Sequence, residues 1–216
     1  MLQYQGLKKK QAAEEASIGK ALAIPLDVEL VKNILEKIPF PLTNHQKIAI
    51  FQILKDMERN YAMNRLLHGD VGTGKTAVAL IAAIHAIQKT KNIQVAFMVP
   101  TEILARQHFA STQELLSHYG ITSDLLVGSL GSKQKKEVQA RLKNGQTQII
   151  IGTHALIQDN VHFKNLAFVI IDEQHRFGVE QRKALEQYAN FQPINRHSEP
   201  VSGSQESQLD AEINST

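Results

Sequence analysis

The 216 residues, 43% hydrophobic and 21% charged, suffice for one domain with a real core, with or without tails. A net charge of +3 is no polycation, so any affinity for nucleic acid would have to come from a local basic patch. The absence of cysteine excludes a disulfide scaffold, a thiolate zinc site and cysteine catalysis. No apolar run approaches the roughly 18 residues of a spanning helix, and the polar start MLQYQGLKKKQAAEEA has no signal-peptide core. These features read as a soluble, cytoplasmic protein without membrane contact.

Residues 1–24 read as a polar helix, with Lys8, Lys9 and Lys10 ahead of Glu14 and Glu15. Pro25 and the Pro39, Phe40, Pro41 segment bracket a second, short helix, DVELVKNILEKI, so residues 1–40 form a helical linker segment. A third helix, LTNHQKIAIFQILKDME, carries Ile48, Phe51, Ile53 and Leu54 near helical spacing, with Thr43 or Asn44 as its cap. From Asn64 onward short apolar runs alternate with helical segments. The expected strands are NRLLHG, IQVAFMVP, SDLLVG, QIIIGT and LAFVIIDE. Between and after them lie TAVALIAAIHAIQK, EILARQHFASTQELLSHYG, SKQKKEVQARLKNG, ALIQD and GVEQRKALEQYA. Such alternation predicts an α/β lobe over residues 41–190, a parallel sheet covered by helices on both faces, with its ligand edge at the strand C-termini. Residues 191–216, rich in serine and acids and without periodicity, read as a disordered tail.

GDVGTGKT fits the phosphate-loop pattern G-x-x-x-x-G-K-[ST], with an apolar run before it and a helix after it. Gly69, Asp70, Val71, Gly72, Thr73, Gly74, Lys75 and Thr76 are therefore the candidate ATP-binding set. Gly72 and Gly74 allow backbone N–H groups to curl around phosphate oxygens, and the helix N-terminus adds partial positive charge. Lys75 would reach the β- and γ-phosphates, and the Thr76 hydroxyl would ligate Mg2+. A chance glycine turn would lack this strand and helix context.

VIIDEQHRFG drives an apolar strand into two carboxylates, which is costly unless they meet a cation. Beside a phosphate loop, Asp172 is expected to hold magnesium through water, and Glu173 to polarise the water that attacks the γ-phosphate. His175, taken alone, reads as a structural histidine.

The stretches GDVGTGKT, PTEILARQH, LVGSLGSKQK, IIIGTHALIQ and VIIDEQHRFGVEQR, in that order, resemble the first motor lobe of superfamily-two helicases of the DEAD/DEAH type. The RFGVEQR after the D-E-Q-H box and the lead-in PFPLTNHQ bring the likeness closer to branch-migrating DNA helicases. It runs from about residue 1 to about Tyr188. The resemblance implies a RecA-like P-loop lobe with ATP and Mg2+ as cofactors, and branched or forked DNA as partner through mainly backbone contacts. It implies that Gln46 lies near adenine and that His175 couples nucleotide state to the motor. It also implies DNA contacts at Thr101, Glu102, Arg106, Gln107, Gly128, Thr153 and His154, with Gly131 and Gly152 in the same motifs. Lys133, Lys135 and Lys136 add a basic cluster that reads equally as a solvated helix face.

The family pattern also has a wedge domain upstream, and a T-A-T motif with a second motor lobe downstream. Here ANFQPINRHSEPVSGSQ stands in the place of that continuation, as in a truncated or frame-disrupted gene or a deliberately cut piece. Arginine fingers of a second lobe are worth on the order of 10³-fold in phosphoryl transfer. This stretch alone is therefore expected to bind Mg-ATP, to hydrolyse it poorly and not to unwind DNA. The other readings are a non-catalytic nucleotide- or DNA-binding module and a lobe of a transcription-coupled repair translocase. Gln174 and the PFPLT lead-in favour the branch-migrating type over the latter.

Overall fold

Runs apolar at every position, such as QVAFM and IIIG, bury both faces of a strand and demand cover on each. The computed structural model describes residues 21–70 and 72–172. In chain order it contains α1 (Val28–Glu36), α2 (Asn44–Met57), α3 (Lys75–Lys89) and β1 (Gln94–Met98). These are followed by α4 (Glu102–His118), β2 (Ser123–Leu126), α5 (Ser132–Asn144), β3 (Ile149–Gly152), a 3-10 turn (His154–Ile157) and β4 (Leu166–Ile171).

The four strands form one parallel sheet in the order β2-β3-β1-β4. Its register levels the strand ends: Met98 pairs with Gly152 on one side and Ile171 on the other, and Leu126 also pairs with Gly152. Strand alternation then sorts the core. Val95, Phe97, Val99, Ile149 and Ile151 join buried residues of α1, α2, α3 and α4, while Ala96, Met98, Leu126 and Ile150 meet Val138 and Leu142 of α5 and the 3-10 turn. Helices therefore cover both faces, as the sequence pattern predicts. Ile24, Ile34 and Ile38 of the lead-in pack into the same core as the sheet.

Local chemistry sets the boundaries. Asp27 caps α1 through Leu30 N–H, and Thr43 with Gln46 closes a capping box on α2. Gly145, at φ 77°, ends α5 in the left-handed conformation that suits glycine. The buried Gln94 is satisfied at both ends of its amide. It donates to the carbonyls of Leu142 and Thr147 and accepts from the N–H groups of Lys164 and Asn165, fixing the end of α5 against the start of β1.

Two expectations need correction. The run at residues 64–69 is not a strand, so the described sheet has four strands rather than five. Its only apolar pair, Leu66 and Leu67, splits, with Leu66 74% exposed and Leu67 on the core. Arg65 ties the segment to α2 instead, its guanidinium donating to Asp56 (2.6 Å) and Gln52 (3.3 Å). The polar helix expected over residues 1–24 does not include residues 21–24, which run without helical structure with Ile24 anchored by N–H to the Met57 carbonyl. The remainder of that helix, the GVEQRKALEQYA helix and the tail lie outside the described residues. No described helix is long and apolar enough to cross a membrane.

Candidate nucleotide and nucleic-acid site

The loop at residues 69–76 turns on glycine. Gly72 (φ 81°) and Gly74 (φ 76°) both occupy the left-handed region, and Thr73 closes a tight turn by donating its N–H and hydroxyl to the Asp70 carbonyl (3.3 and 2.8 Å). Gly74 is the N-cap of α3 and has no side chain to cap it, which leaves the first-turn N–H groups of a long buried helix facing the loop. The Lys75 ammonium lies back across the loop, donating to the carbonyls of Gly69 (2.8 Å) and Asp70 (2.7 Å). Those two bonds hold a cation beside the glycine turn and the α3 N-terminus, a combination suited to a polyphosphate. Val71 lies outside the described residues.

Gln46 is brought to this loop from 27 residues upstream. Its side-chain carbonyl accepts the Thr43 N–H (2.7 Å) in the capping box, while its amide NH2 donates to the Thr73 carbonyl (2.9 Å). A Cβ at Gly74 would come under 3.0 Å from the Gln46 amide nitrogen. Position 74 therefore needs glycine for its φ and for this close approach.

Asp172 follows β4 directly, its N–H donating to the Met98 carbonyl (2.9 Å). Thr76 sits in the first turn of α3. Among the described residues no three His, Cys, Asp or Glu side chains converge to cage a metal. A hydroxyl and a carboxylate are instead the oxygen donors that suit magnesium carried in on nucleotide phosphates, where the cation keeps much of its water. The residues thus fit the group. Glu173 and His175 lie outside the described residues.

The structure adds a residue that the sequence reading quoted in a motif without giving it a role. His108, on α4, brings Nε2 to 3.4 Å from Asp172 Oδ2, and its ring packs 5.1 Å from that of Phe97 at 40°. Both side chains of the pair are largely buried. Nothing local in the sequence points to this pairing, since residues 108 and 172 meet only when β1 and β4 become neighbours.

The candidate DNA contacts line the carboxyl edge. Thr101 follows β1 and caps α4 through Leu104 N–H (3.3 Å). The next residue, Glu102, and Arg106 one turn on both reach the loop after β2. The Glu102 carboxylate accepts the Ser129 N–H (3.0 Å) and the Ser129 hydroxyl, Arg106 donates to the same hydroxyl (3.0 Å), and Lys135 donates to the Gly128 carbonyl (2.5 Å). The Ser129 hydroxyl bond, then its N–H, then the Arg106 charge and the Gly128 N–H hold the Glu102 carboxyl below its usual range. Gln107, Gly128, Gly131, Lys133, Lys136 and His154 are exposed at or near this edge, and Lys135 is half-buried. Gly152 is locked between Leu126 and Leu156. Thr153 differs from the others: it is 1% exposed, and its hydroxyl has no hydrogen-bond partner among the described residues.

Comparison with known proteins accords with this geometry. The DEAD/DEAH box helicase family matches residues 43–202. The ATP-dependent DNA helicase RecG of Aquifex aeolicus is 50% identical over 179 residues, covering 83% of this chain and 22% of that protein. RecG of Bacillus subtilis is 47% identical over 184 residues, covering 85% and 26%. A structure of RecG bound to a three-way DNA junction aligns at TM-score 0.67 and 47% identity, over 78% of this chain and 23% of that one. The DEAD-box helicase Mss116 aligns at TM-score 0.58 with 20% identity, a likeness of fold alone. The chain spans between 22% and 26% of the length of these curated relatives. With the family match covering most of the sequence, and with its likeness to RecG covering the first motor lobe, this chain belongs to the DEAD/DEAH box helicases.

Proposed function

We propose that the chain is the nucleotide-binding first lobe of a RecG-type, ATP-dependent DNA helicase that acts in the cytoplasm on branched or forked DNA. The observation that carries this reading is the loop at residues 69–76, with two left-handed glycines, an uncapped α3 and an ammonium held over it.

On binding ATP, Lys75 exchanges its two carbonyl partners for β- and γ-phosphate oxygens, while the loop N–H groups and the α3 dipole take the remaining phosphate charge. Gln46 keeps the loop shaped from the side where the base would lie. Thr76 and Asp172 would hold magnesium, whose charge would offset that of the phosphates. Glu173 orients the attacking water and His175 passes the nucleotide state onward. Thr101, Arg106, Gln107, Gly128 and His154 meet the DNA backbone, with the neighbouring lysines adding sequence-independent attraction. RecG relatives are two-lobed in the family pattern, so unwinding is assigned to the assembled motor.

A fluorescent ATP analogue titrated in Mg2+ tests the reading. Binding that Lys75→Ala weakens about 10- to 100-fold is the expectation, from the loss of charge-assisted bonds to phosphate. Equal binding by that variant would refute it. Turnover with forked DNA then separates two outcomes. DNA-stimulated hydrolysis that vanishes in Glu173→Gln identifies an enzyme, whereas DNA binding without turnover in either protein identifies a binding module.

A further inference from the structure

We infer that His108 is a positioning residue for Asp172, fixing the carboxylate that receives the magnesium of the bound nucleotide; this rests on the metal role proposed above for Asp172. Three observations converge. The backbone of Asp172 is held to β1 through its N–H to the Met98 carbonyl, so the strand fixes where the side chain starts. His108 Nε2 stands 3.4 Å from Oδ2, so a ring nitrogen faces one oxygen of that carboxylate at ion-pair distance. The imidazole plane is itself fixed by packing against Phe97, a fully buried residue in the middle of the sheet.

A ligand carboxylate that is hydrogen-bonded by an ordered neighbour presents its oxygens in one orientation, and removal of such neighbours typically weakens metal affinity by about 10- to 100-fold. His108 also sits on the helix that Thr101 caps. Seven residues at 1.5 Å each put the two about 10 Å apart along α4. The element that presents the candidate DNA-contacting turn therefore also touches the candidate metal ligand. Packing alone would account for an apolar residue at position 108. It does not account for an imidazole nitrogen placed 3.4 Å from a carboxylate oxygen.

The test titrates a fluorescent ATP analogue into the chain across a Mg2+ series and in EDTA, with thermal melting alongside. Wild type is expected to bind more tightly as Mg2+ rises. His108→Ala should need about tenfold more Mg2+ or above for the same tightening, with affinity in EDTA unchanged. His108→Gln, which keeps an amide donor, should recover most of the response. His108→Phe, which keeps a ring on Phe97 but no donor, should not, even where it melts like wild type. A His108→Phe response equal to wild type, or a loss that is the same in EDTA, overturns the inference. Asp172→Asn separates the two levels: if it keeps the full Mg2+ response, or wild type has none, the metal role of Asp172 fails and the inference falls with it.

Discussion

Gly74→Ala strains the phosphate loop in two separable ways. Its φ of 76° costs an alanine about 1–2 kcal/mol. The new Cβ also lands under 3.0 Å from the Gln46 amide nitrogen, which must swing away and lose its bond to the Thr73 carbonyl, worth about 1 kcal/mol. Together these amount to ~2–3 kcal/mol against the loop conformation that cradles phosphate, or roughly 30- to 150-fold in nucleotide affinity. Gln46→Ala alone should cost only the bond, about fivefold. In the double variant the clash has no partner, so Gly74→Ala should then cost its φ strain alone, leaving a coupling of about 1 kcal/mol between the sites. Nucleotide titrations of the four proteins, with melting curves to confirm folding, measure this directly. Strict additivity, or wild-type affinity in Gly74→Ala, would refute the claim that one glycine serves both the turn and the contact.

Three further outcomes follow from the packing. Gly152→Ala places a Cβ against the Leu126 carbonyl of a neighbouring strand and against Leu156, neither of which can withdraw freely. It should cost about 2–4 kcal/mol and lower the melting temperature by roughly 5–15 °C; an unchanged melt would contradict the register given for β2 and β3. His85 is fully buried, accepts the Asp27 N–H at Nε2 (3.1 Å), and has its pKa lowered from 6.5, chiefly by burial, with Lys89 acting in the same sense and Asp27 and Glu58 opposing. The unfolded chain therefore binds a proton that the folded chain resists, so stability should fall as pH drops below about 6.5, by up to ~1.4 kcal/mol per unit. Denaturant midpoints across pH 5–8 would show this, and His85→Gln, which keeps an acceptor for Asp27, should flatten the curve. Thr153→Val removes a buried hydroxyl that has no partner among the described residues. It should leave stability unchanged or raise it by about 1 kcal/mol; a marked loss would show that the hydroxyl is bonded after all.

The parts of the fold that were legible in the sequence are those whose cause is local. The glycine spacing at residues 69–76 points to a turn into a helix, Thr43 is one of the two cap candidates and is the one that caps α2, and the continuous apolar runs around QVAFM and IIIG read as strands with cover on both faces. The local signal is thin at residues 64–69. Two leucines after Arg65 resembled a strand, but the bonds from Arg65 to Asp56 and Gln52 come from a helix and carry the segment elsewhere. Sheet order was also illegible, because nothing in the sequence states that β1 lies between β3 and β4.

That order decides the chemistry of the candidate site. Placing β1 between β3 and β4 levels Thr101, Thr153 and Asp172 along one edge, and it brings α4 over the end of β4 so that His108 meets Asp172. It also gives Glu102 a task that its charge alone argues for. A carboxylate repels a DNA phosphate, and here it is instead bonded to Ser129, bracing the turn whose Gly128 faces solvent while Arg106 and Lys135 bond the same turn. Thr153 is the one site in this row where local satisfaction fails, with a desolvated hydroxyl lacking a partner among the described residues. Unsatisfied polar groups are rare where packing alone governs, and they concentrate where a chain keeps a group for another purpose. The fault in the packing at position 153 therefore falls on the same edge as the residues proposed above to meet DNA.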